Sequence, residues 1–185
     1  MNITRIAYYV LFLAFSLLCV SCTKKSSPVE VKGEQKFGKY VFIPPEGYWF
    51  FEKKDPMKIE TSKDNYLITF WKDKDEISNK QLKRKDVIFN FGVSANIYKD
   101  ITAYYNEAQK AGVAYKAVPE EMNKLKTIPN WSCKEPVQDV FGIECVSLRD
   151  ELVIFGFYGY EKSEVISSFP VFLKMIESFK IRDNP

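Results

Sequence analysis

Val140-Phe-Gly-Ile-Glu-Cys-Val-Ser-Leu148 and Leu152-Val-Ile-Phe-Gly-Phe-Tyr-Gly-Tyr160 are two apolar runs rich in β-branched and aromatic residues, separated by the polar Arg149-Asp150-Glu151, with Arg149 and Asp150 read as the turn. Runs of this kind broken by a short polar turn read as an antiparallel hairpin. A tight turn sets Phe141, Ile143 and Cys145 opposite Tyr158, Gly156 and Ile154. The same period of two recurs upstream. Val87, Phe89 and Phe91 share one face of a predicted strand, and Tyr66, Ile68 and Phe70 share one face of another. Lys39–Ile43, Tyr48–Phe51 and Met57–Glu60 add short extended runs, the first stopped by Pro44-Pro45.

Elsewhere the period becomes helical. Ile101, Tyr104, Tyr105, Ala108 and Ala111 fall on one helix face, with Asp100 placed to cap the start and Gly112 the end. Leu125–Ser132 reads as extended. A closing helix is expected from about Ser168, with Pro170 tolerated in its first turn and Phe169, Phe172, Leu173 and Ile176 as its apolar stripe. About six strands and two amphipathic helices must bury their apolar faces on one another. The expectation is an α/β (α+β) fold, an α/β/α sandwich in which a largely antiparallel sheet is flanked by helices.

Composition narrows the function. The chain has 185 residues, with 27 Lys and Arg against 24 Asp and Glu, and no His. Its hydrophobic content of 46% suits one ordered domain and excludes a disordered chain. A net charge of +3 offers none of the strongly basic surface that a nucleic-acid partner requires. The absence of His removes Ser-His-Asp and Cys-His nucleophile systems and the usual imidazole metal ligand.

The N-terminus supplies an address. Arg5 precedes Ile6–Val20, a 15-residue run in which Ser16 is the one clearly polar side chain. As a helix it measures about 22 Å, against about 30 Å of hydrocarbon to cross, so a cleaved signal is favoured over a permanent span. Leu18-Cys19-Val20-Ser21-Cys22 resembles a bacterial lipobox, with Cys19 where Leu is usual. The resemblance implies a signal peptide over residues 1–21 and lipid attachment at Cys22. Residues 22–36 then form the acylated Cys and a flexible tether, and residues 37–182 form a single globular domain. Thr23 stands where an Asp would resemble an inner-membrane retention signal, which favours the outer membrane. Cys19 and Cys22 also spell C-x-x-C, but a redox pair belongs at the start of a helix after a strand, not at the end of a signal.

A further resemblance rests on two motifs. Ile43-Pro-Pro-Glu-Gly-Tyr-Trp49 resembles the Pro-x-Gly-Trp opening of the Mog1/PsbP-like superfamily, and Ile176-Glu-Ser-Phe-Lys-Ile181 resembles its closing helix end. The resemblance implies an antiparallel sheet sandwiched by helices over about Phe37–Arg182. It also implies an accessory or binding role, since members include photosystem extrinsic subunits, a small-GTPase partner and bacterial envelope lipoproteins.

Few residues suggest chemistry. Cys133 and Cys145 enclose 11 residues and read as a disulfide in an exported domain. The carboxylate groups Glu120-Glu121, Asp73 with Asp75 and Glu76, and Asp150-Glu151 lie in polar or turn contexts, where solvated charge is the ordinary outcome. No catalytic residue is therefore assigned. Asp73-x-Asp75-Glu76 lacks the Gly and terminal Glu of an EF-hand, and no P-loop or dinucleotide fingerprint occurs, so no metal or cofactor is expected. Lys80, Lys83, Arg84 and Lys85 form the one local charge excess, a candidate contact for anionic headgroups or an acidic partner, or else a solvated loop balanced by nearby acids. Tyr48, Trp49, Trp71, Tyr104, Tyr105 and Trp131 supply core aromatics or part of a binding patch.

The expected function is thus a membrane-anchored envelope lipoprotein whose domain binds an unidentified envelope protein or ligand without catalysis. A carboxylate-dependent hydrolase of envelope polymers and a surface adhesin are the alternatives.

Overall fold

The computed structural model describes residues 27–51, 66–75 and 83–182. Among them, in chain order, the strands are Pro28–Glu30 (β1), Gln35–Phe37 (β2), Tyr40–Phe42 (β3), Trp49–Phe51 (β4), Tyr66–Phe70 (β5) and Val87–Ala95 (β6). Helix Ile101–Lys110 (α1), strand Ala114–Ala117 (β7) and a 3₁₀ segment Glu120–Thr127 follow. Strands Ser132–Val137 (β8), Phe141–Leu148 (β9) and Glu151–Gly159 (β10) lead to helix Lys162–Ser178 (α2) and strand Lys180–Ile181 (β11). The fold is mixed α+β with antiparallel pairing.

The principal sheet has the order β5-β6-β10-β9-β8-β7. Trp49 and Trp71 exchange backbone hydrogen bonds of 2.7 and 2.8 Å, which joins the β1–β4 pair to the end of β5. A smaller sheet, β11-β3-β2, lies apart. The alternation in β6 dictates its role: Val87, Phe89, Phe91 and Val93 are buried and the residues between them are only partly so. Those four pack with Val153, Phe155 and Phe157 of β10, Phe172 and Met175 of α2, and Phe42 of the small sheet. Phe157 and Phe172 stack with centroids 4.1 Å apart, and Phe42 meets Phe91 at 4.7 Å. Each fully buried Phe contributes roughly 1.5–3 kcal/mol, so this layer fixes α2 and the small sheet on one face. Helix α1 covers the opposite face, where Tyr104 and Tyr105 pack with Val146 and Leu152.

Several expectations hold. Asp100 Oδ1 accepts from the Ala103 N–H at 2.8 Å, capping α1 as its sequence position suggests. Ile68 and Phe70 are buried on one face of β5. Met57–Glu60 lies outside the described residues.

Four expectations need correction. The tether does not extend to residue 36, because β1 and β2 occupy Pro28–Glu30 and Gln35–Phe37, and Val31 between them is buried. Backbone pairing with β4 and β3 orders a stretch that carries too few apolar residues to announce itself. The hairpin register is also shifted by one. Leu148 pairs with Leu152 and Cys145 with Phe155, because the turn holds Arg149, Asp150 and Glu151 rather than two residues. A one-residue slip sends every side chain to the other face. Cys145 and Ile143 therefore share a face with Phe155 and Phe157, while Glu144 shares one with Gly156.

Helix α2 starts at Lys162, so Pro170 lies in its interior rather than its first turn. Pro170 is exposed, so the bond its missing N–H denies the Ile166 carbonyl is lost on the solvent side, where burial of Val165 and Phe172 outweighs it. Leu125–Thr127 belongs to the 3₁₀ segment, which inserts Met122 and Leu125 into the core, and extended pairing resumes only at Ser132.

Candidate functional site

The β9 and β10 residues that face α1 alternate as Gly142, Glu144, Val146 and Leu148, and as Leu152, Ile154, Gly156 and Tyr158. A carboxylate thus lands in an apolar layer. Glu144 is only 5% exposed. Its Oε1 accepts from the Tyr104 hydroxyl of α1 at 2.9 Å and from the Tyr115 hydroxyl of β7 at 2.8 Å, and Tyr158 of β10 adds a third hydrogen bond. The other buried carboxylate, Glu135, is ion-paired with Lys116 at 2.8 Å, but Glu144 has no cation at ion-pair distance among the described residues. Lys134, its register partner on β8, instead places its ammonium 3.9 Å from the centre of the Tyr105 ring.

The electrostatics follow from that arrangement. Loss of hydration raises the Glu144 pKa above the ordinary carboxylate value, and hydrogen bonds from Tyr115, Tyr104 and Tyr158 oppose the rise only in part. Tyr104, Tyr115 and Tyr158 are raised by burial first and by the neighbouring Glu144 next. They remain hydroxyl donors across the physiological range. Tyr105 is also raised by burial, and its hydroxyl donates to the Ser132 carbonyl at 3.0 Å.

Two glycines create the space. A Cβ on Gly156 would stand 2.7 Å from the Tyr158 hydroxyl, and one on Gly142 would stand 2.7 Å from the Phe157 carbonyl while running into the Tyr158 ring. With no side chain at either position, the Tyr158 ring lies flat along the sheet and its hydroxyl reaches toward Glu144. The cluster can hold a proton in a dry interior and pin α1, β7, β9 and β10 together. Its hydrogen-bond partners are tyrosines rather than a second carboxyl, so it lacks the opposed pair that general acid and base catalysis across a substrate requires.

The residues singled out in the sequence are distributed differently. Cys133 and Cys145 stand opposite each other on β8 and β9, with their Cα atoms 4.0 Å apart and their sulfurs 2.02 Å apart, a bonding distance. Lys83 is ion-paired with Asp73, and Arg84 with Glu161 at 3.0 Å, so two members of the basic cluster are neutralised locally. Lys85 is exposed, and Lys80 and Cys22 lie outside the described residues. The hydrogen bond from Lys83 is the main cause that holds the Asp73 carboxyl below its usual range. Glu120 and Glu121 are exposed, as is Asp75, while Glu76 lies outside the described residues.

A cavity of about 440 Å³ opens where the β9–β10 turn meets the small sheet, lined by Lys39, Arg149, Glu151, Val153, Ile181 and Arg182 among others. Lys39 and Glu151 bridge at 2.7 Å, and Arg182 pairs with Glu34 at 3.1 Å. Asp150 also lines it, but Asp150 and Glu151 belong to one turn and so share one rim. Sequence reasoning overlooked Glu144, although one charged residue inside an apolar strand, Ile143-Glu144-Cys145, was a signal available to it. No protein-family profile matches the chain, and no curated protein or solved structure shows significant similarity to it.

Proposed function

We propose that this chain is a lipid-anchored protein of the bacterial cell envelope, acylated at Cys22, whose domain is a non-catalytic binding module. The observation that carries the reading is the pairing of Cys133 with Cys145 at bonding distance. A disulfide of this kind belongs to an oxidising compartment outside the cytoplasm, the destination to which the Ile6–Val20 run and the Cys22 motif point. The placement of the carboxyl groups supports a binding role over the hydrolase alternative. Glu144 is sealed beneath α1 and Glu151 is engaged by Lys39.

A relation to the Mog1/PsbP-like superfamily forms part of the same proposal. Its support is that the two sequence motifs meet in space. The Ile43 N–H donates to the Ser178 hydroxyl at 2.9 Å, and Lys180 and Ile181 pair with Val41 and Tyr40. The opening strand and the closing helix end therefore form one structural unit.

The test is metabolic labelling with an alkyne-bearing palmitate, comparing the natural chain with Cys22→Ser, followed by non-reducing mass mapping of Cys133 and Cys145. Label on the natural chain alone, together with a linked cysteine pair, is the expected outcome. An unlabelled natural chain overturns the anchoring.

A further inference from the structure

We infer that the sheet edge formed by β1, β4 and the Trp71 end of β5 lies against anionic lipid headgroups of the leaflet that holds the anchor. This rests on the proposed acylation of Cys22. Only Thr23–Ser27 separate that residue from Pro28, where β1 begins. Six Cα steps reach about 21 Å at full extension, so the start of β1 is the part of the described domain held nearest the acylated residue. The tether carries Lys24 and Lys25.

The register then decides which surface is held closest. Pro28 pairs with Phe51 and Glu30 with Trp49, and Trp49 bridges to Trp71. The Trp49–Trp71 pair thus lies two residues along β1 from the tether's end, about 7 Å. Phe50, Ile68 and Phe70 enter the core, so Trp49, Phe51, Leu67 and Trp71 belong to the opposite face by strand alternation. Trp49, Phe51 and Trp71 are partly exposed, and Leu67 is 43% exposed.

Cations accompany them. The Lys74 ammonium sits 5.3 Å from the centre of the Trp49 ring, while Lys72 at the same end is exposed and bridges to Asp86 at 3.4 Å. Of the acids nearby, Glu30 is engaged by Lys32 at 3.7 Å, Asp73 by Lys83 and Asp86 by Lys72, while Asp75 is exposed. Indole rings settle at headgroup depth, and lysines extend past them to phosphate at about 1 kcal/mol each. A short basic tether feeding directly into an edge of two tryptophans, with the Lys74 ammonium over one of them, matches that chemistry.

The experiment uses the mature acylated chain, reconstituted in vesicles of phosphatidylcholine and phosphatidylglycerol carrying a headgroup spin label, with intact mass recorded first. Single-tryptophan versions retain Trp49, Trp71 or Trp131, the others being changed to Phe. Trp131 packs between Phe155 and Phe179 and serves as the internal reference. Trp49 and Trp71 are expected to be quenched at least about twofold more than Trp131, as interfacial indoles should be. In the chain with all tryptophans, Lys74→Glu should lower the total quenching while leaving the far-ultraviolet circular dichroism unchanged. Equal quenching at all three sites in a chain of correct acylated mass overturns the docking alone. A mass without acyl chains overturns the anchoring and the docking with it.

Discussion

Replacing Glu144 by Gln separates the two things the buried carboxyl does. Gln retains a carbonyl acceptor for the Tyr104 and Tyr115 hydroxyls but cannot ionise. Because burial raises the folded-state pKa of Glu144 above its ordinary 4.5, the native chain keeps a proton that the unfolded chain releases as pH climbs past that value. The stabilisation is complete below about pH 4.5 and is lost as pH rises through the folded pKa. Over that window the unfolding free energy contributed by this group falls by about 1.4 kcal/mol per pH unit.

Urea denaturation followed by tryptophan fluorescence, run from pH 4 to about 8 on the natural chain and on Glu144→Gln, isolates this slope as the difference between the two. The natural chain should lose stability relative to the variant as pH rises above about 4.5. Glu144→Ala should instead be destabilised throughout by about 3 kcal/mol or more, because three buried hydroxyls lose their acceptor at about 1–3 kcal/mol each. A difference between the natural chain and Glu144→Gln that stays constant across pH would refute the reasoning, since it would mean that Glu144 titrates as it does in water.

Two further perturbations test the frame around this cluster. Changing Cys133 and Cys145 together to Ala should lower stability by about 3 kcal/mol, from the entropy of the 13-residue loop the bond closes, visible as a lower urea midpoint; an unchanged midpoint would show that the bond does not form in the mature protein. Gly142→Ala places a methyl against the Phe157 carbonyl and the Tyr158 ring, and should cost about 1–3 kcal/mol by the same assay; an unchanged midpoint would show that the β9–β10 backbone has room to shift.

What the chain reveals unaided is local. Alternation over Val87–Phe91, the Asp100 cap and the apolar face of Ile101–Ala111 are each written within a few consecutive residues, so periodicity and capping chemistry recover them without knowledge of distant partners. β1 and β7 escaped notice for the opposite reason. Their stability comes from pairing with β4 and β8, not from their own apolar content. The same holds for Pro170, which local rules assign to a first turn until the upstream Val165 is seen to dock on the sheet.

The Glu144 cluster lies wholly beyond local reading. Tyr104 is 40 residues away in sequence and Tyr115 is 29. Which β10 side chains share the carboxyl's face depends on whether the β9–β10 turn holds two residues or three, a difference that side-chain hydrophobicity does not encode. Sequence determined the alternation that makes one face of β9 carry Glu144. Only the tertiary structure decided that α1 would close over that face, remove its water and leave three hydroxyls as its surroundings, because desolvation depends on what packs against a group and not on its neighbours along the chain.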